Sequence, residues 1–373
     1  MGCIPFDIVV DIFVRLPVKS VMRFKSLSKQ CDGLVHDSKF IRSHLQNTKS
    51  KGEHHHFILQ RYERDPEFLV LTLPKNFDCG DVVHAAETSL APRRSVDCFQ
   101  LIKWTAECDG MLCIPHGPSL VIWNPSTKKH WTILTPPRPD FTDSVGLGYD
   151  STLDDYKVVN IMGPPQHIPT TIQCLRLRTG TWNTAVNDVK YEGFKVAPEA
   201  GKSVNGSIYW IARVWDSDQF PTIFFMVRFD LETETLKEEK LPSDILNERR
   251  CVLGLVGGSV SVTVRMRRHY VVWVKEENTE TKSWKKLFRF RASASACNYF
   301  YFSPYITNNG QVLTNEYGTR TRYELEIEEA GELFLYNLKD KSVKNITVKG
   351  LSHPSDFAMI SYVESLVSPS PGA

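Results

Sequence analysis

His54, His55 and His56 stand side by side in the chain, and three imidazoles in a row raise the question of a metal site. Zinc needs ligands converging on one point, usually from Cys or His pairs spaced a few residues apart. Adjacent residues on an extended segment point to opposite sides, and no neighbouring Cys or acidic spacing completes a set, so the triplet reads as a polar linker. The nine cysteines (Cys3, Cys31, Cys79, Cys98, Cys108, Cys113, Cys174, Cys251, Cys297) are odd in number and scattered. Without paired spacing they read as reduced thiols, which points to cytoplasm or nucleus. Asp154-Asp155 and Glu276-Glu277 resemble acid/base pairs, but neighbours on a strand or turn diverge, so both read as solvated turn charge. The chain has no phosphate-cradling glycine loop, nucleophile elbow or His-Glu-x-x-His helix. Neither a catalytic residue nor a metal or other cofactor is expected.

Binding chemistry has better candidates. Arg265, Arg267, Arg268 and His269 form the densest basic cluster, between two apolar runs, where a charged hairpin tip or a contact for an acidic target would sit. Trp215 stands in a polar Trp-Asp-Ser-Asp loop and is a candidate exposed anchor, because an isolated Trp can carry much of an interface. A net charge of +2 over 373 residues leaves no excess for a phosphate backbone, so nucleic acid is not an expected partner. Asp7, Asp11 and Arg15 interrupt the first apolar segment, and no later run approaches about 18 apolar residues. Neither a secretory leader nor a membrane span is therefore expected. Phe6 occupies the position where an acylation signal wants Ser or Thr, and the sequons at Asn205 and Asn345 matter only on secreted chains.

The elements that must position these residues fall into two unlike halves. Apolar residues make up 42 % and charged residues 24 % of the chain, the balance of a globular protein with a real core. From Ile4 to Leu45 the pattern is helical. Ile8, Ile12 and Leu16 recur on one face, and Pro17 ends that helix by lacking an amide donor. A second helix carries Val21, Phe24 and Leu27 at three-residue intervals, and a third, from about Ser38, carries Phe40, Ile41 and Leu45 inward. About 40 residues in three short helices seldom fold alone, yet they carry more apolar side chains than they can hide. Either the rest of the chain covers that face or a second protein does.

After about Phe57 short β-branched and aromatic runs alternate with Gly, Asn, Asp and Pro turns, the signature of strands. All eight Trp residues lie from Trp104 onward. A turn device repeats at Trp123-Asn124-Pro125-Ser126-Thr127 to Trp131, at Leu177-Arg178-Thr179-Gly180-Thr181-Trp182 and at Phe229-Asp230-Leu231-Glu232-Thr233 to Leu236. It returns between Val274 and Trp284 and at Tyr336 to Val343. An interval of about 50 residues matches propeller blades of four strands, and ring closure removes exposed sheet edges. A stacked β-sandwich is the alternative.

The helical segment resembles the plant F-box. The resemblance is carried by Ile4-Pro5-Phe6-Asp7-Ile8, Asp11-Ile12-Phe13, Arg15-Leu16-Pro17-Val18-Lys19-Ser20, Arg23-Phe24-Lys25, Phe40 and His44-Leu45, with Cys31 where the family usually has Trp. The β half is similar to the F-box-associated domain, through Cys108-Asp109-Gly110-Met111-Leu112-Cys113, Trp123-Asn124-Pro125-Ser126-Thr127-Lys128, Gly146 to Asp150, Asp154 to Val159, Val204 to Trp210 and Ser283 to Phe288. A kelch repeat would show a glycine doublet in each blade, and only Gly257-Gly258 occurs. The resemblance implies an α+β multidomain chain: a three-helix F-box over 1–46, a linker and first strands over 47–100, an all-β, propeller-like domain over 101–365 and a flexible tail over 366–373. It also implies a non-catalytic subunit of a ubiquitin ligase; the alternative is a small-molecule-binding or hydrolytic β-propeller with an incidental helical amino terminus. The F-box would dock on a Skp-type adaptor, and through it on cullin and RING subunits, while the β domain holds a target protein. The expected adaptor contacts are Ile4, Pro5, Ile8, Ile12, Leu16, Pro17 and Val21, with Lys19 and Arg23 at the rim. Trp215, Arg265, Arg267 and Arg268 are the expected target contacts.

Overall fold

The computed structural model describes residues 5–51, 54–61, 68–74, 82–84, 86–87, 105–116, 118–136, 144–163, 170–197, 199–214, 223–245, 251–266, 269–276, 283–291, 305–307, 310–314, 330–349 and 357–370. The amino-terminal unit holds four α-helices instead of the expected three: α1 (Phe6–Val14), α2 (Val18–Phe24), α3 (Lys29–Leu34) and α4 (Ser38–Lys51). A 3-10 turn, Lys25–Leu27, follows α2. The additional helix is α3. Ser28 starts it by accepting the Cys31 N–H at 3.1 Å, a serine cap that satisfies an otherwise orphaned amide. α4 runs to Lys51, five residues past the expected boundary at 46.

The remainder is mostly β and forms a six-bladed propeller, which replaces the stacked-sandwich alternative. Blade II is Ala106–Cys108, Met111–His116, Ser119–Asn124 and Lys129–Leu134; blade III is Ser144–Asp150, Asp155–Met162, Thr171–Arg176 and Thr181–Thr184. Blade IV contains Lys202–Val204, Ser207–Val214, Ile223–Asp230 and Thr235–Glu239. Blade V contains Cys251–Val256, Ser259–Met266, His269–Lys275 and Trp284–Arg291. Blade VI contains Tyr305–Ile306, Gln311–Thr314, Ala330–Asn337 and Val343–Lys349. Blade I is built from both ends of the chain: Phe357–Tyr362 pairs antiparallel with His54–Arg61, which pairs with Phe68–Pro74. The His54 triplet therefore opens a blade strand, and the linker reading is corrected.

Core clusters prove the ring by joining each blade to the next. Ile58 and Phe68 of blade I pack with Trp123 of blade II, Met111 and Ile122 of blade II with Leu147 and Val158 of blade III, and Val159 and Cys174 with Trp210 and Val227 of blade IV. Tyr209 and Met226 pack with Leu253 and Val262 of blade V, Tyr270 and Phe290 with Val312 and Tyr336 of blade VI, and Leu313 and Leu333 with Phe57 and Leu71 of blade I. Two blades gain a parallel strand, Val186–Asp188 on blade IV and Val82–His84 on blade VI, and the short antiparallel Lys195–Val196 makes blade IV six-stranded.

The repeating turn joins the third and fourth strands of blades II, III, IV and VI. A residue at or one before its end takes a positive φ, at Lys128 (62°), Gly180 (68°), Glu234 (51°) and Lys341 (61°). Only one of the four is glycine, so the other three sit where an L side chain is costly and the turn's repetition is hidden in the residue types. The turns between first and second strands include two-residue hairpins with both φ positive, at Asp109-Gly110, Asn205-Gly206 and Gly257-Gly258, as primed turns require. The glycine doublet is such a hairpin.

Candidate partner-docking surfaces

Pro5 caps α1, its carbonyl accepting the Ile8 N–H at 3.1 Å. Along α1 Phe13 turns inward, to a helical core it shares with Val18, Val21, Cys31, Leu34, Val35 and Phe40, with Phe6, Val9 and Val10 against it. Ile8 and Ile12, one turn apart and so on one face, keep 50 % and 48 % of their surface exposed. The turn into α2 is held from behind. His44, buried in α4, donates from Nε2 to the Leu16 carbonyl at 2.8 Å, and Asn47 Nδ2 donates to the Val14 carbonyl at 2.8 Å. Burial depresses the His44 pKa, against the Leu16 hydrogen bond, and keeps the ring neutral.

Of the expected adaptor contacts, Pro5, Ile8, Ile12, Pro17, Lys19 and Arg23 are exposed, while Leu16 is half-buried at the edge of the helical core. Val21 is fully buried and is corrected to a core residue. Ile4 lies outside the described residues. The other two apolar residues of that three-residue series are at the surface: Phe24, 39 % exposed, and Leu27, 69 % exposed. A three-residue spacing drifts about 60° per step around a helix, and the chain tightens into the 3-10 turn after Phe24, so Val21 and Leu27 cannot share a face. Phe24 stays anchored to the unit through Phe13, their ring centroids 5.9 Å apart.

α4 seats the helices on blades II and III. Leu45 is part of the core those blades share, and Ile41 packs against it. Lys49 Nζ lies 2.5 Å from Asp109 Oδ1 in the blade II hairpin, and Tyr156 donates to the other Asp109 oxygen at 2.9 Å. Arg42 pairs with Asp154 and stacks over Tyr149, 5.7 Å from its centroid, while the Tyr149 hydroxyl donates to Asp154 at 2.7 Å. Asp154 is thus an interface residue, which corrects its reading as solvated turn charge. Asp155 turns away to cap the Tyr156 and Arg178 amides.

Residues 363–370 continue from the closing strand onto the same side. Leu366 enters the helical core and Val367 the blade II–III core. Asn124, fully buried, donates from Nδ2 to the carbonyls of Ser365 at 3.0 Å and Val367 at 2.8 Å. A flexible tail was expected over 366–373; Leu366 and Val367 are buried there and the Asn124 amide holds the Val367 carbonyl, while 371–373 lie outside the described residues.

The hairpins at Asp109 and Asp154 face the helices. Strands alternate in direction, so the connections from second to third strands open on the opposite face. Arg265 belongs there, near the end of Ser259–Met266, paired across the hairpin with Tyr270 and with its guanidinium 6.0 Å from that ring's centroid. Trp215, Arg267 and Arg268 lie outside the described residues; their flanking strand ends, Val214, Ile223, Met266 and His269, are on this face. Among the described residues five cysteines (Cys31, Cys108, Cys113, Cys174, Cys251) are free thiols, and no group of three His, Cys, Asp or Glu is placed to hold a metal.

The model of the F-box associated beta propeller domain matches residues 77–369. Curated relatives from Arabidopsis thaliana include F-box protein CPR1, 25 % identical over 98 % of this chain and 89 % of its own length, and F-box protein At4g22390, 26 % identical over 97 % and 90 %. Among solved structures an oligogalacturonate lyase in complex with manganese superposes over 77 % of each chain with a TM-score of 0.42 and 10 % identity.

Proposed function

The chain belongs to the F-box-associated β-propeller family, and from that premise we propose that it is the substrate-recognition subunit of a Skp-cullin-F-box ubiquitin ligase. The observation that carries the reading is the half-exposed Ile8 and Ile12 pair, on a helical unit whose other side is sealed by its own propeller and tail. Each of the two would gain up to about 1 kcal/mol on covering its exposed half, at roughly 25 cal/mol per Å². Phe24 and Leu27 add exposed apolar surface to the same helical unit, and Lys19 and Arg23 would steer an acidic adaptor and set its orientation. The propeller face turned away from the helices, with Arg265 and the strand ends Val214 and Ile223 between which Trp215 falls in the chain, would hold the target protein.

No reacting group is required of this chain. Docking of the adaptor brings a target lysine beside a charged ubiquitin carrier, and the gain is effective concentration. The free cysteines fit a place in the cytoplasm or nucleus.

An adaptor pull-down with full-length Ile8→Asp and Ile12→Asp tests the proposal. Both sites are exposed enough for folding to survive, so the expected result is unchanged thermal unfolding with binding lowered at least about tenfold. Undiminished capture by both folded variants would remove the docking face.

A further inference from the structure

The tail does more than finish the chain. Ring closure ends at Tyr362, yet the next residues cross from propeller to helices and contribute to both cores. Leu366 is 4 % exposed among Phe13, Val18, Val21, Cys31 and Phe40, so the helical core is incomplete without a side chain more than 300 positions later in the chain. The neighbouring Val367 packs with Leu45 and Met111. Asn124 holds the strip between them: its amide nitrogen serves the tail carbonyls, and its oxygen accepts the Ser126 and Thr127 N–H groups of its own turn at 2.9 and 3.3 Å. Gly110 leaves room for the crossing, since a Cβ there would lie 2.2 Å from the Val363 carbonyl oxygen.

We propose that residues 363–370 form a clasp that completes the helical unit and fixes it on the propeller, with Leu366 and Asn124 as its positioning residues. The docking helices are then no independent module. A small core of this kind is marginal by itself, and here its missing apolar volume comes from the far end of the chain. The clasp stands on packing alone; its consequence, a fixed distance from adaptor to target, rests on the ligase reading above.

Hydrogen exchange on the free full-length chain tests it, comparing wild type with Leu366→Asp and with Asn124→Asp, which keeps the turn acceptor but removes both donors to the tail. The expected result is amide exchange about tenfold faster throughout α1 to α4, unchanged in blades IV and V, with adaptor affinity lowered in proportion. Faster exchange confined to residues 363–370, with helices at the wild-type rate, would overturn the clasp. Should Leu366→Asp fail to fold, Asn124→Asp decides, because its site lies outside the helical core. A wild type that binds no adaptor would sink the ligase reading and leave the exchange result standing.

Discussion

Lys157 Nζ, on the second strand of blade III, lies 2.9 Å from Glu234 Oε1 in the turn of blade IV. The same ammonium sits 2.8 Å from Asp150 Oδ2 and donates to the Leu231 carbonyl at 2.5 Å. Lys157 and Asp150 are almost fully buried, and Glu234 also receives Arg176 at 2.8 Å. The positive φ of Glu234 belongs to the turn that brings its carboxylate to the blade boundary.

Replacing Lys157 with Met therefore leaves the buried Asp150 without its counter-ion and Glu234 with Arg176 alone. Breaking a buried pair from one side costs about 3–5 kcal/mol, whereas removing the more exposed Arg176 is expected to cost about 1 kcal/mol or less. Urea unfolding of Lys157→Met and Arg176→Ala would show the ranking; equal midpoints would remove the network as a blade tie.

The same network sets the acid limb. Burial works against the charges on Asp150 and Glu234, but hydrogen bonds from Lys157, together with the Leu153 and Thr152 amides for Asp150 and Arg176 for Glu234, hold both below their ordinary values of 3.8 and 4.5. A depressed carboxylate contributes stability that is fully present above its unfolded pKa and lost as pH falls through the folded one. Wild-type stability should thus decline below about pH 4.5, and Lys157→Met should flatten that decline. Parallel slopes of stability against pH in the two proteins would contradict it.

Glu107 has the opposite sign. Burial pushes its carboxyl up to about 7, with Asp109 adding to the rise and the Gly110 N–H, Lys49 and Lys202 opposing it. Between the ordinary 4.5 and about 7 the folded chain keeps a proton that the unfolded chain releases, so stability falls as pH rises through that window. Glu107→Gln retains an acceptor for Gly110 and removes the titration. Its advantage in stability over wild type should grow by about 3 kcal/mol from pH 4 to pH 8, read from chemical denaturation at each pH; an advantage independent of pH would refute the assignment.

Two glycines separate backbone cost from crowding. Gly206, at φ 70°, has nothing within 4 Å of an added Cβ, whereas Gly110, at φ 81°, would place one 2.2 Å from the Val363 oxygen. Gly206→Ala should cost about 1 kcal/mol through the left-handed conformation alone. Gly110→Ala should cost at least about 3 kcal/mol, because the tail must also move. Thermal unfolding of both would check the order, and a Gly110 variant as stable as the Gly206 variant would show that the crossing has slack.

The residues of the chain determined the local devices unaided. Short apolar runs bounded by turn residues mark strands at Val145 to Tyr149 and Ile172 to Leu177, Asn205-Gly206 marks a hairpin, and the repeated turn from Asn124 to Tyr336 marks the blades, because each is a short-range rule of backbone geometry. The outward pair Ile8 and Ile12 was legible for the same reason. Only tertiary structure decided which apolar residue is covered by what. Periodicity reports that Val21, Phe24 and Leu27 are apolar, but a change from α to 3-10 winding buries the first and exposes the last. Leu366 and Asp154 carry no local signal of their partners, since Leu366 fills a core made by the amino-terminal helices and Asp154 pairs with Arg42. Such contacts join positions far apart in the chain, and a pattern read within one segment contains nothing about the segment that closes over it.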